Sequence, residues 1–217
     1  TWLRENPGEF TYPRPPAFLG TTLLKQLLIE LTAEETSADI ETLFSNPPNE
    51  SFDAVSAPLW AFLDEIHPLL LREARHFPQS GAQLRSALND REISLAFAFS
   101  PNEVVSSISR GELAPSTRSY VFESGTLSNV SFVAIPNNAP SKQGAMAVAN
   151  FLLSPEVQFK AATNAKLASE PVLSFENFTP DQQAVLLESA RAPGAVSPTE
   201  LARKIQEPHP SWTNELE

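Results

Sequence analysis

The sequence predicts an α/β fold in which helix dominates, and three observations predict it. Apolar residues recur at helical spacing in several segments, as in Leu23, Leu24, Leu27, Leu28 and Leu31. Elsewhere they alternate with a period of two, as in Ile93, Leu95, Phe97 and Phe99. The two kinds of segment are interleaved, with few strands for 217 residues.

Taken in order, residues 1–19 read as extended, because Pro7, Pro13, Pro15 and Pro16 forbid a regular helix. A helix begins at Gly20 and carries the leucine stripe. A short second helix covers Ala38–Phe44, and Asn46-Pro47-Pro48-Asn49 is a loop. Pro58 opens a helix with Leu59, Trp60, Leu63 and Ile66, which Pro68 bends or ends. Ser80–Leu88 is a further helix with Leu84 and Leu88 inward. Residues 93–99 form a strand, and Ser100-Pro101-Asn102-Glu103 then caps a helix running to about Ser109. Ser119–Glu123 and Val130–Ile135 are two more strands, joined through Ser124–Asn129. A helix starts at Ser141, and the tail from Thr179 is helical pieces separated by Pro and Gly. Thr179-Pro180-Asp181-Gln182 and Ser197-Pro198-Thr199-Glu200 repeat the capping pattern, and Ser154-Pro155-Glu156 gives part of it.

Composition narrows the function classes. With 41% hydrophobic residues the chain has enough for a packed core. Its 26 acids against 15 bases, a net charge of −11, argue against a nucleic-acid or anionic-membrane binder. The absence of cysteine removes disulfides, thiolate metal sites and cysteine nucleophiles, and fits an oxidising compartment. No apolar run is long enough to span a membrane, so no direct insertion is expected. The chain opens on Thr1-Trp2-Leu3 without a methionine or a signal peptide and closes on Asn214-Glu215-Leu216-Glu217, so both ends read as cut.

Metal and phosphate chemistry find little support. His67, His76 and His209 form no HxxxH pair, and the dispersed glycines form no phosphate loop, so neither metal nor cofactor is expected. Polar residues at the ends of elements are the better candidates. Thr21 and Thr22 stand where an extended segment enters a helix, and Ser100 and Asn102 stand at a strand-to-helix turn. Glu123, Ser124 and Thr126 lie at the turn between two strands. Helix N-termini outside strand ends offer unpaired amides to a polar ligand group. The same residues serve equally as helix caps, and both roles stay open at this point. Trp60 and Phe99 are candidates for stacking on a ligand or for the core.

Several stretches carry a resemblance. Glu5-Asn6-Pro7-Gly8-Glu9-Phe10-Thr11-Tyr12-Pro13, with Pro15-Pro16 and Gly20-Thr21, resembles the entry into the second lobe of bacterial ABC-transporter solute-binding proteins. Val133-Ala134-Ile135-Pro136-Asn137-Asn138-Ala139-Pro140 and Phe151-Leu152-Leu153-Ser154-Pro155-Glu156-Val157-Gln158 resemble the return segment of that class. The likeness is to the YnjB-like group of periplasmic solute-binding proteins. It extends through Arg118–Thr126 and Pro208–Asn214 to cover nearly the whole chain.

The resemblance implies a periplasmic binding protein-like fold of the second type, cut to its second lobe and the returning part of the first. Residues 1–105 would be the second lobe, 106–163 the crossover and returning segment, and 164–217 a helical tail. The first lobe's N-terminal part is missing, which leaves returning strand faces exposed, repacked or paired between molecules. It implies a periplasmic protein that captures a small polar solute by closing two lobes and delivers it to an ABC permease. Ligand contacts would come from Thr21, Thr22, Ser100 and Asn102, then Glu123, Ser124 and Thr126. The alternatives are an α/β enzyme domain of unidentified chemistry and an interaction module without a solute site. Helix N-termini favour an anionic ligand group and Glu123 a cationic one, so ligand charge stays open.

Overall fold

The structure is a computed structural model and describes residues 2–35, 37–45, 52–164 and 169–217. The predicted loop Asn46–Asn49 lies outside the described residues. In chain order the described helices are α1 (Trp2–Glu5), α2 (Phe18–Glu35), α3 (Ser37–Ser45), α4 (Phe52–Ile66), α5 (Gly81–Asn89), α6 (Pro101–Ser109), α7 (Lys142–Leu152), α8 (Pro155–Thr163), α9 (Pro180–Ser189), α10 (Pro198–Leu201) and α11 (Ser211–Leu216). Two short strands, β1 (Thr126–Leu127) and β2 (Lys204–Ile205), pair in parallel with Thr126 opposite Lys204. The fold is thus mostly helical with a small parallel sheet. The helix-rich expectation holds, and the expected strands do not form.

The chain divides into two compact units. The first comprises Thr1–Phe99, Val121–Ser128 and Arg203–Glu217, and the second Ser100–Tyr120 and Asn129–Ala202. In the first unit the leucine stripe predicted from Gly20 lies on α2, which begins two residues earlier at Phe18. Leu24, Leu28 and Ile29 of α2 pack with Leu43 of α3, Leu59, Leu63 and Ile66 of α4, and Trp212 and Leu216 of α11. A second cluster joins Phe10, Tyr12, Leu23 and Leu70. Pro58 lies inside α4 rather than opening it, and the helix starts at Phe52. Burial of Leu59, Leu63 and Ile66 offsets the amide bond the proline gives up. Pro68 ends α4, because residues 67–69 tighten into a 3₁₀ turn. Gly20 is required by close approach: a Cβ there would stand 1.9 Å from the Pro13 carbonyl oxygen.

Helix α2 is enclosed on its polar side too. Gln26 is fully buried, and its Nε2 donates to the Gly125 carbonyl at 2.9 Å while its Oε1 accepts from the Leu127 N–H at 2.8 Å. This amide does for β1 what a neighbouring strand would do, since it satisfies one backbone acceptor and one donor. β1 is held on its other side by β2, through Thr126 N–H to the Arg203 carbonyl at 2.9 Å and Ser128 N–H to the Ile205 carbonyl at 3.0 Å. Gly125 turns the chain into β1 at φ 116°, and a Cβ there would stand 2.7 Å from Ile205 Cγ2. Lys25, nearly buried, pairs with Glu207 at 3.2 Å. Gln26, Lys25 and Thr21, whose hydroxyl donates to Glu217 at 2.9 Å, therefore tie down segments distant in sequence.

The predicted strands fail for a common reason: a strand exists only beside a partner. Along residues 93–99 the only pairing among the described residues is a bridge from Leu95 to Phe10, with Ser94 and Leu95 N–H groups both donating to the Glu9 carbonyl. Burial falls from Ile93 at 2% exposure to Phe99 at 61%, so the alternation does not mark one covered face. Ser119–Glu123 and Val130–Ile135 have no ladder partners among the described residues, and Glu123 lies in a turn. The strand that does form there, β1, lies in the predicted connection.

In the second unit α6 begins as predicted, with the Ser100 side chain accepting from the Glu103 N–H. The capping box of α9 forms completely between Thr179 and Gln182. Ser197 and Glu200 exchange the same pair of bonds at the start of α10. The buried apolar side chains of this unit are Val104, Leu113, Phe178 and Val196 among the described residues, a small core. Replacing Gln26 by Leu should cost about 3 kcal/mol, because it strands the Gly125 carbonyl and the Leu127 N–H at about 1–3 kcal/mol each. Urea unfolding of Gln26→Leu against wild type, with an unchanged m value, measures it.

Candidate functional site

An open cleft of about 560 Å³ lies in the first unit. Its floor is Leu24 of α2, Leu63 of α4 and Leu216 of α11. Tyr12, Trp60 and His67 supply aromatic walls, and Arg14, Glu215 and Glu217 supply charge. The extended segment that precedes α2 places Tyr12, Arg14 and Pro15 on this cleft, because Pro13, Pro15 and Pro16 keep it from joining the helix.

The aromatic groups are held from behind. The Trp60 indole N–H donates to Ser56 Oγ, one turn earlier on α4, at 2.9 Å. The Tyr12 hydroxyl and His67 Nε2 share a hydrogen bond of 2.9 Å, and Phe77 meets the Tyr12 ring edge-on with centroids 5.4 Å apart. Burial pushes the Tyr12 hydroxyl up to about 12, since the phenolate would lose its solvation. The Arg14 guanidinium and the Glu215 carboxylate have no hydrogen-bond or ion-pair partner among the described residues, whereas Glu217 Oε1 accepts from Thr21 at 2.9 Å. An apolar floor, ordered rings and two uncommitted charges of opposite sign suit a small ligand with an apolar body and polar ends.

The sequence-predicted residues fall in several places. Thr21 is buried and binds Glu217, a lining residue of the cleft. Thr22 Oγ1 donates back to the Phe18 carbonyl at 2.8 Å, within its own helix. Ser124 donates to Glu30 Oε1, and Thr126 Oγ1 accepts from the Phe122 N–H at 2.9 Å, which closes the turn before β1. Glu123 is exposed on that turn. Thr21 and Glu30 are nine residues apart on α2, about 13 Å along the axis. Thr21 and Ser124 are therefore not gathered into one site. Ser100 and Asn102 belong to the second unit, at the start of α6, where Ser100 is engaged as the cap and Asn102 is half-buried. Of the two aromatic candidates, Trp60 lines the cleft, while Phe99 packs on Phe18 with ring centroids 5.6 Å apart.

Sequence reading missed Tyr12, Arg14 and Glu215. The signal for the first two was present: a Tyr-Pro-Arg-Pro-Pro run holds alternate side chains out from an extended backbone just ahead of a helix. Glu215 had none, because it reaches the cleft only through the packing of Trp212 and Leu216. Among the described residues no group of three or more His, Asp and Glu is placed to hold a metal ion. No described helix is long and apolar enough to cross a membrane.

The chain is a homologue of Protein YnjB of Escherichia coli strain K12, with 40% identity over 216 residues. The match takes in 100% of this chain and 53% of that protein, so the chain spans about half the length of its relative. No family model and no solved structure matches it.

The buried Tyr12 sets a pH dependence. An unfolded tyrosine loses its proton near pH 10, and the folded one holds it to about 12. Between those values the unfolded state binds fewer protons, so stability falls as pH rises, by about 1.4 kcal/mol per pH unit at the steepest. Below pH 10 the contribution is fully present. Tyr12→Phe should flatten this slope, as read from denaturation midpoints between pH 9 and 12.

Proposed function

We propose that this chain is part of the extracytoplasmic solute-binding component of an ABC importer. It captures a small polar solute without chemical change and passes it to a membrane permease. The observation that carries the reading is the 40% identity to YnjB across the whole chain, which includes every stretch that resembles solute-binding proteins. Two further features support it. The chain passes between its two units at residues 99–100, 120–121, 128–129 and 202–203, the kind of multiple crossing on which a hinge is built. The first unit also carries a cleft with ordered aromatic walls and uncommitted charges. Cysteine-free composition agrees with a periplasmic home, and the acidic surface suits a protein partner. On this reading the fold of the complete protein is of the periplasmic binding type.

Native mass spectrometry of this chain and of intact E. coli YnjB, both taken gently from periplasmic extract, tests the reading. A small adduct on YnjB that denaturation releases is the expected result. If YnjB carries none and shows no thermal shift in the periplasmic small-molecule pool, solute capture is wrong. In a chimera where this chain replaces the matching part of YnjB, Arg14→Ala should weaken solute affinity about tenfold, because that side chain lines the cleft.

A further inference from the structure

The cleft of the first unit is built from that unit alone, since every residue lining it falls in Thr1–Phe99 or Arg203–Glu217. Its two uncommitted charges are of opposite sign, and they do not meet. Arg14 and Glu215 both line the cleft, yet neither has an ion-pair partner among the described residues. Opposite charges attract even in water, and what keeps these two from closing on each other is where their backbones are anchored. Arg14 stands between Pro13, which is fully buried, and Pro15, whose rings fix the segment ahead of α2. Glu215 stands on α11 beside Leu216, which is buried in the main core with Trp212.

Between the two charges lies the leucine floor, with Trp60 beside it. The Trp60 ring is 36% exposed and its indole N–H is already held by Ser56 Oγ, so what it offers a ligand is its face. A ligand with only an anionic group would meet Arg14 but leave Glu215 and Glu217 facing it as like charges. One with only a cationic group would meet Glu215 but bring its charge up to Arg14. A molecule that carries both groups satisfies both residues.

We propose that this cleft binds a small zwitterion with an aromatic body. The carboxylate is held by the Arg14 guanidinium, which can take it with two parallel N–H donors. The ammonium is held by Glu215, and the body lies on Trp60 and the leucine floor. This deepens the importer reading and rests on it for the use made of the ligand, whereas the binding itself needs the first unit alone.

Isothermal titration calorimetry of this chain with four probes tests it. L-phenylalanine and 4-(aminomethyl)benzoate are zwitterions with the two charges close together or far apart. Benzylamine and benzoate each carry one of the charges. At least one zwitterion should bind about tenfold or more tightly than either single-charge probe. Arg14→Gln should remove its advantage over benzylamine, and Glu215→Gln its advantage over benzoate. Neither variant should move the melting temperature, because both side chains are exposed and unpartnered among the described residues. The proposal is overturned if neither zwitterion binds below about 10 mM, if the single-charge probes bind as tightly, or if both variants weaken all four probes alike. A zwitterion bound here with no adduct on YnjB would remove solute import and leave the cleft standing. An adduct on YnjB with no zwitterion bound here would do the reverse.

Discussion

The first unit is organised around one buried amide. Gln26 stands in the middle of α2 with no exposure to solvent and meets both the Gly125 carbonyl and the Leu127 N–H. A glutamine in that position could be tolerated only if both ends of its amide were satisfied. The backbone of β1 satisfies them, and in return β1 is fixed in position and orientation. β2 pairs onto β1, and α11 follows β2 closely enough to put Trp212 and Leu216 into the main core. Without the Gln26 contact, β1 would be held on one side alone, by β2.

What the sequence made legible was local. The helix starts at Ser100, Thr179 and Ser197 were readable because a capping box involves residues three apart and needs nothing else. The leucine stripe of α2 was readable from its period. What could not be read was the other side of α2. Thr21, Lys25 and Gln26 look like a solvent face, yet all three are buried, because each finds a partner far along the chain. Strands failed for the same reason in reverse. Ile93–Phe99 and Val130–Ile135 carry strand composition, but pairing depends on a second segment that composition does not reveal. β1 is two residues long and has no such composition, yet it is paired on both sides.

The candidate cleft follows the same logic. Trp60 was visible as an aromatic that either packs or stacks, and its 36% exposure with the indole N–H tied to Ser56 places it between the two. Tyr12 and His67 reinforce each other across 55 residues of sequence. Ser100 and Thr22, read as ligand contacts from their positions at helix ends, have hydroxyls engaged with the backbone of their own helices. A helix start offers amides to a ligand only where its cap leaves some of them free.

The way the first unit is assembled from three stretches of chain has a consequence for its biosynthesis. Its main core needs Leu24 and Leu28, made early, and Trp212 and Leu216, made after the whole second unit. The nascent chain therefore lacks the Trp212 and Leu216 side of that core while residues 100–202 are translated. Contacts so distant in sequence close slowly, and exposed apolar helix faces are what chaperones bind. The first unit to emerge from the ribosome is thus the last to finish, since its core closes only when residues 203–217 arrive.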